Sequence, residues 1–162
     1  MNEFRIPAKP GIYTLIIELS QRIQLTVGTL GFLDFSQGVY TYTGSAAGRT
    51  TNLQTRLNRH LRPVKEHHWH IDYVLTSKVA TIKVIVYIKT HEKKECEVTR
   101  NIEQLASTEA SIKGLGASDC HYGCTSHLHY FPGLGLEDVV SQVFDVYKRV
   151  FHPGKPTKVC TK

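Results

Sequence analysis

Gly11-Ile12-Tyr13-Thr14-Leu15-Ile16-Ile17-Glu18-Leu19 is the stretch on which the fold turns. A turn-rich entry, Pro7-Ala8-Lys9-Pro10, precedes it, and from Ile12 onward β-formers dominate, so it reads as a strand. Working outward, Arg22 to Leu30 alternates, and Gly38 to Thr43 carries Val39, Tyr40 and Tyr42 in a second such run. With Gly28, Gly31 and Gly38 as punctuation, the region predicts an antiparallel meander with an extended N-terminal hairpin.

Gly44-Ser45-Ala46-Ala47-Gly48 then reads as a loop, and the pattern changes period. Leu53, Leu57 and Leu61 recur every four residues, which predicts a helix starting near Asn52 and stopped by Pro63. Arg56 and His60 are also four apart and share a neighbouring face of it. His70 to Leu75 and the Val/Ile-rich run Ala80 to Ile88 read as strands, the latter suited to a central position. Glu95 to Ala106 and Leu136 to Val150 carry helical spacing, and between them lie a loop from Lys113 to Ser126 and a short apolar stretch, His127 to Phe131. Strands followed by helices among strands predict an α+β fold, a small mixed or antiparallel sheet flanked by helices with a C-terminal helix. The expected organisation is one domain over 1–151 and a flexible basic tail over 152–162.

Composition narrows the function classes. With 41% hydrophobic residues in 162, the chain can bury a core and is not a disordered type. Charged residues or histidine interrupt every apolar run before the roughly 20 residues of a membrane span. Met1-Asn2-Glu3-Phe4-Arg5 lacks the apolar core of a signal peptide, so a cytoplasmic location is expected. The net charge of +6 and pI near 9.2 suit a polyanionic partner, and Arg49, Arg56, Arg59, Arg62 and Lys65 concentrate that charge in one short stretch.

Tyr13, Tyr42, Arg56 and His60, followed by the acidic helix at Glu95-Cys96-Glu97, are the groups that metal-assisted phosphodiester cleavage needs. Gly11-Ile12-Tyr13, then Tyr42-Thr43-Gly44, then Leu53-Gln54-Thr55-Arg56-Leu57-Asn58-Arg59-His60 resembles the GIY-YIG nuclease superfamily. Val27-Gly28-Thr29-Leu30-Gly31, Trp69-His70-Ile71-Asp72-Tyr73, and Ser118-Asp119-Cys120 with Ser126-His127-Leu128 look like one prokaryotic branch of it, sometimes fused to a DNA-repair glycosylase domain. The spacer Ser20 to Gln37 between the tyrosine motifs is longer than in most such enzymes, which bears on what enters the site more than on its chemistry.

The resemblance implies hydrolysis of a phosphodiester with one bound Mg²⁺ or Mn²⁺. Tyr13 would orient the attacking water or take its proton, and Tyr42 would assist. A free phenol, with a pKa of about 10, is a poor base at neutral pH, so the surroundings must supply help. Arg56 would grip the phosphate in two parallel hydrogen bonds, and His60 would contact the same phosphate or shuttle a proton. Glu95 is the implied metal ligand, with Glu97 as the alternative, because residues two apart face different sides of a helix. Arg49, Arg59, Arg62 and Lys65 would bind the nucleic-acid backbone. Accessory candidates are His70 and Asp72, read either as a pair at the site rim or as a structural pair, together with Asp119 and His127.

Cys120-x3-Cys124-x2-His127 raises zinc, with His121, His129 or the distant Cys96 as fourth ligand. Because no Cys-x2-Cys pairs occur, a structured loop is the favoured reading there. The functional expectation is therefore a divalent-metal-dependent endonuclease of DNA, with RNA still open, in repair or structure-specific processing and with a repair protein as a potential partner. The alternatives are a nucleic-acid-binding module on the same fold that does not cut, and a metal-binding interaction domain built on Cys120 and Cys124.

Overall fold

The computed structural model describes residues 5–106, 112–117, 120 and 122–161. Its strands are β1 (Gly11–Leu19), β2 (Ile23–Thr26), β3 (Phe32–Phe35), β4 (Gly38–Ser45), β5 (Ala80–Lys89), β6 (Leu128–Phe131) and β7 (Thr157–Cys160). The helices are α1 (Leu53–Leu61), α2 (His70–Leu75), α3 (Glu95–Leu105) and α4 (Leu136–Val150). Five strands form one antiparallel sheet in the order β6-β4-β1-β5-β7, so the fold is α+β as expected. Among the described residues, no helix is long and apolar enough to cross a membrane.

β1 is central, and its side chains alternate between two cores. Tyr13, Leu15, Ile17 and Leu19 face Leu53 and Leu57 of α1 and Ile71 and Val74 of α2. Ile12 and Ile16 face Val98 and Ile102 of α3 and Val139, Val143 and Tyr147 of α4. Burial on both sides explains why β1 reads as an unbroken apolar run rather than as alternation. Its one buried polar residue on the α4 side, Thr14, is satisfied by Thr43 Oγ1 at 2.9 Å and Tyr147 Oη at 2.8 Å.

Three expectations are corrected. The meander does not form, because β1 pairs with β4 in register, Ile12 against Ser45 through Leu19 against Gly38. The intervening residues fold back on themselves, with β2 paired to β3 as a separate hairpin closed by the Arg22–Asp34 ion pair. The stretch from His70 to Leu75 is helical, not a strand. Its buried Ile71, Val74 and Leu75 have helical spacing, and the Asp72 carboxylate accepts from the backbone N–H groups of His68 and Trp69, both at 2.8 Å. Capping thus outweighs the strand preference of Trp69 and Tyr73. Finally, the basic tail is not free over Thr157–Cys160. It adds to the open edge of β5, Val84 against Cys160 through Tyr87 against Thr157, where an edge strand exposes polar side chains and so reads as tail.

Asp72 also holds the molecule together beyond α2. It is fully buried and takes two hydrogen bonds from Arg59 of α1, at 2.9 and 2.8 Å. Burial alone opposes ionisation, yet Arg59 and the two N–H groups bring its carboxyl down to about 2. Replacing Asp72 with Ala leaves the α2 N-terminus uncapped and Arg59 with only the Glu66 carbonyl and the Trp69 ring, an expected loss of about 2–4 kcal/mol in urea denaturation. A loss below about 1 kcal/mol would mean that this pair does not join α1 to α2.

Candidate functional site

The two tyrosine motifs meet because of their glycines. Tyr13 on β1 pairs directly with Gly44 on β4. A methyl group on Gly44 would collide with the phenol ring of Tyr13, so only a bare backbone there lets the ring lie across the strand. Gly11 has the same role toward α1, where a side chain would strike Ile88 O and the Leu53 side chain. The carbonyls of Lys9 and Pro7 accept from the N–H groups of Leu53 and Gln54, at 2.9 and 3.1 Å, and tie the entry to the helix start. Asn52 caps that helix, its side chain accepting from Thr55 N at 2.9 Å.

From this anchored helix, His60 reaches the phenol. Tyr13 Oη and His60 Nε2 are 2.7 Å apart, and both residues are only 2% exposed. The edge of Tyr42 also approaches the imidazole, with ring centroids 6.1 Å apart. Burial, and then the charge of Lys65, depress the His60 pKa to about 3, so the ring is neutral at pH 7. Burial, and then Tyr42, push the Tyr13 phenol well above its ordinary value. His60 therefore lies behind Tyr13 and out of reach of a phosphate in the open cleft.

That cleft, of about 420 Å³, is lined by Tyr13, Tyr42, Arg56, Glu95 and His127 among others. Arg56 presents its guanidinium over the Trp69 ring at 4.5 Å and donates from Nε to Thr51 Oγ1 at 3.2 Å. Glu95, the first residue of α3, lies in the wall, whereas Glu97 is exposed and outside it. Gly116 (φ +72°) packs against Tyr42, with no room for a side chain, and closes one side. Lys93 also lines the cleft, and neither it nor the stacking role of Trp69 was foreseen from the sequence. Both lie outside the helix that carries Arg56 and His60, and in the sequence Trp69 is only an aromatic residue beyond its end. A larger hollow of about 740 Å³ elsewhere, between Leu105 and Arg149, gathers none of the expected site residues.

Other expected residues stand elsewhere. Arg59 is a structural partner of Asp72, its guanidinium 4.2 Å above Trp69. Lys65 donates to the carbonyls of His60 and Arg59, at 2.7 and 3.0 Å, at the end of α1, and burial brings its pKa down to about 8. Both placements have one cause, that α1 ends against α2, where carboxylate and carbonyl acceptors compete for cations. Arg62 borders a separate hollow, and Arg49 is exposed one residue beyond the cleft residue Gly48. His70 and Asp72 do not pair. His70 Nδ1 instead accepts from Gly116 N at 3.3 Å, while Asp72 is enclosed below α2. Asp119 lies outside the described residues.

His127 is in the cleft wall, its Nδ1 3.0 Å from Glu95 Oε1. Burial alone would lower its pKa, but Glu95 and Cys120 raise it. Cys96, Cys120, Cys124 and His127 bring one donor atom each to within 4.8 Å of one another, a cluster able to hold a metal ion. Among the described residues, Cys96, from the start of α3, is the fourth member beside Cys120, Cys124 and His127, whereas His129 is buried with β6; His121 lies outside the described residues.

A family model described as "Domain of unknown function DUF123" matches residues 12–150. No curated protein and no solved structure matches the sequence.

The buried imidazoles make stability depend on pH. His60 titrates at about 3 and His129, also buried, at about 4, both below the 6.5 of an unfolded histidine. Their contribution is complete above that unfolded value and is lost as pH falls through 6.5 toward those folded values. In that window each adds a slope of up to about 1.4 kcal/mol per pH unit, measurable by urea denaturation across a pH series. The slope should flatten in His60→Gln, and an unchanged slope would contradict the burial argument.

Proposed function

The chain belongs to the DUF123 family, and we propose that it is a divalent-metal-dependent endonuclease that hydrolyses phosphodiester bonds in nucleic acid, DNA foremost. The observation that carries this reading is the buried Tyr13–His60 pair opening into a cleft shared with Tyr42, Arg56 and Glu95. The likeness of the tyrosine motifs to GIY-YIG nucleases supports it, as does the basic charge of the chain.

With the His60 ring in its Nδ1-protonated tautomer, Tyr13 donates to Nε2 across the 2.7 Å contact and keeps an oxygen lone pair facing the cleft. As the attacking water forms its bond to phosphorus, Tyr13 orients it through that lone pair and the water's proton leaves to solvent, because a His60 ring that titrates at about 3 is too weak a base to hold it. The P–O bond to the leaving strand breaks, and that oxygen takes a proton from solvent. Arg56 donates to the phosphate oxygens where negative charge grows, held in aim by Trp69 and Thr51. Tyr42 donates at the same centre, and Lys93 and Arg49 draw the flanking backbone toward the rim.

Glu95 would hold the catalytic Mg²⁺ or Mn²⁺. Its Oε1 faces His127, so its other oxygen is the one available to the cleft. A single carboxylate fits Mg²⁺, which keeps several waters and takes phosphate oxygens as further ligands. When bound, such an ion supplies positive charge to the phosphate and acidifies nearby water. The biological setting we favour is cytoplasmic DNA repair or structure-specific processing, with a repair protein as partner.

Purified protein is expected to nick or cut DNA with Mg²⁺ or Mn²⁺. Tyr13→Phe, Arg56→Ala and Glu95→Gln should each slow cleavage by about 10²-fold or more while the circular dichroism spectrum stays native. The panel covers plasmid, branched, damaged and single-stranded DNA, and RNA. Binding without cleavage on all of them, with either ion, would replace this reading with that of a non-catalytic binding module.

A further inference from the structure

The Cys/His cluster lies against the cleft but has no part in the chemistry above. Its four donors come from three places: the first turn of α3, the loop at 120–124, and the residue before β6. Nothing in packing alone accounts for that convergence. Of the described loop residues from Ile112 to Thr125, Leu115 is the one buried hydrophobic, and three glycines there adopt positive φ. Such a loop has little core of its own to hold it in place.

We propose that Cys96, Cys120, Cys124 and His127 bind one Zn²⁺ as a closed structural site, with Glu95 as the carboxylate that orients the ligating histidine. Three thiolates and one imidazole are a complete tetrahedral zinc set with no open position for substrate. Zinc–sulfur bonds of about 2.3 Å set tetrahedral sulfurs roughly 3.8 Å apart; Cys96 Sγ and Cys120 Sγ stand 3.4 Å apart. That is far from the roughly 2.05 Å of a disulfide, and a disulfide would leave the third thiol and the histidine unexplained. Soft sulfur donors also set this cluster apart from the hard-oxygen cleft beside it.

The histidine supports the same assignment. His127 is 4% exposed and neither of its ring nitrogens makes a hydrogen bond, an unusual state for buried polar atoms. Nδ1 lies 3.0 Å from Glu95 Oε1 without hydrogen-bond alignment, and with that nitrogen beside the carboxylate, Nε2 is the one assigned to the ion. A carboxylate behind a ligating imidazole is the usual outer-shell arrangement at zinc. On binding, the three thiols release their protons to solvent, and the site carries one net negative charge. Arg100 of α3 donates to the Tyr122 carbonyl between Cys120 and Cys124 and offsets that charge.

The consequence for the cleft rests on the nuclease reading. Cys96 follows Glu95, so an ion there would pin the helix end that presents Glu95, and would hold Cys120 and Tyr122 in the cleft wall.

The test is metal analysis of the full chain purified under reducing conditions, followed by replacement with Co²⁺. One zinc per chain is expected, and the cobalt form should show tetrahedral d–d absorption and thiolate charge transfer. Cys124→Ser should lose the ion, whereas Cys160→Ser, whose thiol is exposed and outside the cluster, should keep it. Glu95→Gln should retain the ion with affinity lowered by about 10- to 100-fold. A folded wild-type protein free of metal, with all four thiols open to titration, would overturn the proposal, as would stoichiometric iron. These readouts need no cleavage, so zinc without nuclease activity would sink only the nuclease reading. Cleavage by metal-free protein supplied with Mg²⁺ alone would leave that reading standing and remove the zinc.

Discussion

The bare backbone of Gly44 beneath the Tyr13 ring is the constraint on which the rest of the site depends. Because nothing projects from β4 at that point, the phenol lies across the strand and meets His60 from α1 at 2.7 Å. That contact in turn requires α1 to sit close to β1, which the missing side chain of Gly11 permits. Two glycines thus set a distance between a strand and a helix, and that distance makes a buried tyrosine–histidine pair. Arg56, one turn before His60, is brought to the cleft by the same helix placement.

Much of this was legible in the residues. The periodicity of Leu53, Leu57 and Leu61 located α1, and Arg56 and His60 lie one turn apart on it, although His60 is buried behind Tyr13 while Arg56 lines the cleft. The apolar runs located β1, β4 and β5, and helical spacing located α4 to the residue. What the pattern could not carry was partnership at a distance. Arg59 and Lys65 read like phosphate-binding cations, but Asp72 and the carbonyls at the end of α1 claim them. The same carboxylate caps α2 and so turned a stretch of strand-forming aromatics into a helix. β7 was hidden because an edge strand needs apolar residues on neither exposed side, and its partner, β5, is some seventy positions earlier in the chain.

The metal question divides in a similar way. Cys120-x3-Cys124-x2-His127 is too sparse to decide anything by spacing, since a fourth ligand must come from elsewhere. The fold supplies Cys96 from α3, adjacent in sequence to the carboxylate that lines the cleft. Hard and soft donor sets therefore lie side by side, with Glu95 and His127 in contact between them. Two ions of different chemistry could occupy them without competing, because thiolates discriminate against Mg²⁺ and a lone carboxylate with open positions discriminates against a closed zinc geometry.

The proposed chemistry requires that Tyr13 donate to a neutral His60 and so keep a lone pair toward the cleft. Nitrogen-15 NMR of the His60 ring tests it without knowledge of the substrate. The expected result is a neutral ring down to pH 5, with the proton on Nδ1 and Nε2 as acceptor, consistent with its pKa of about 3. A ring that titrates close to 6.5, or that carries its proton on Nε2 at neutral pH, would contradict it.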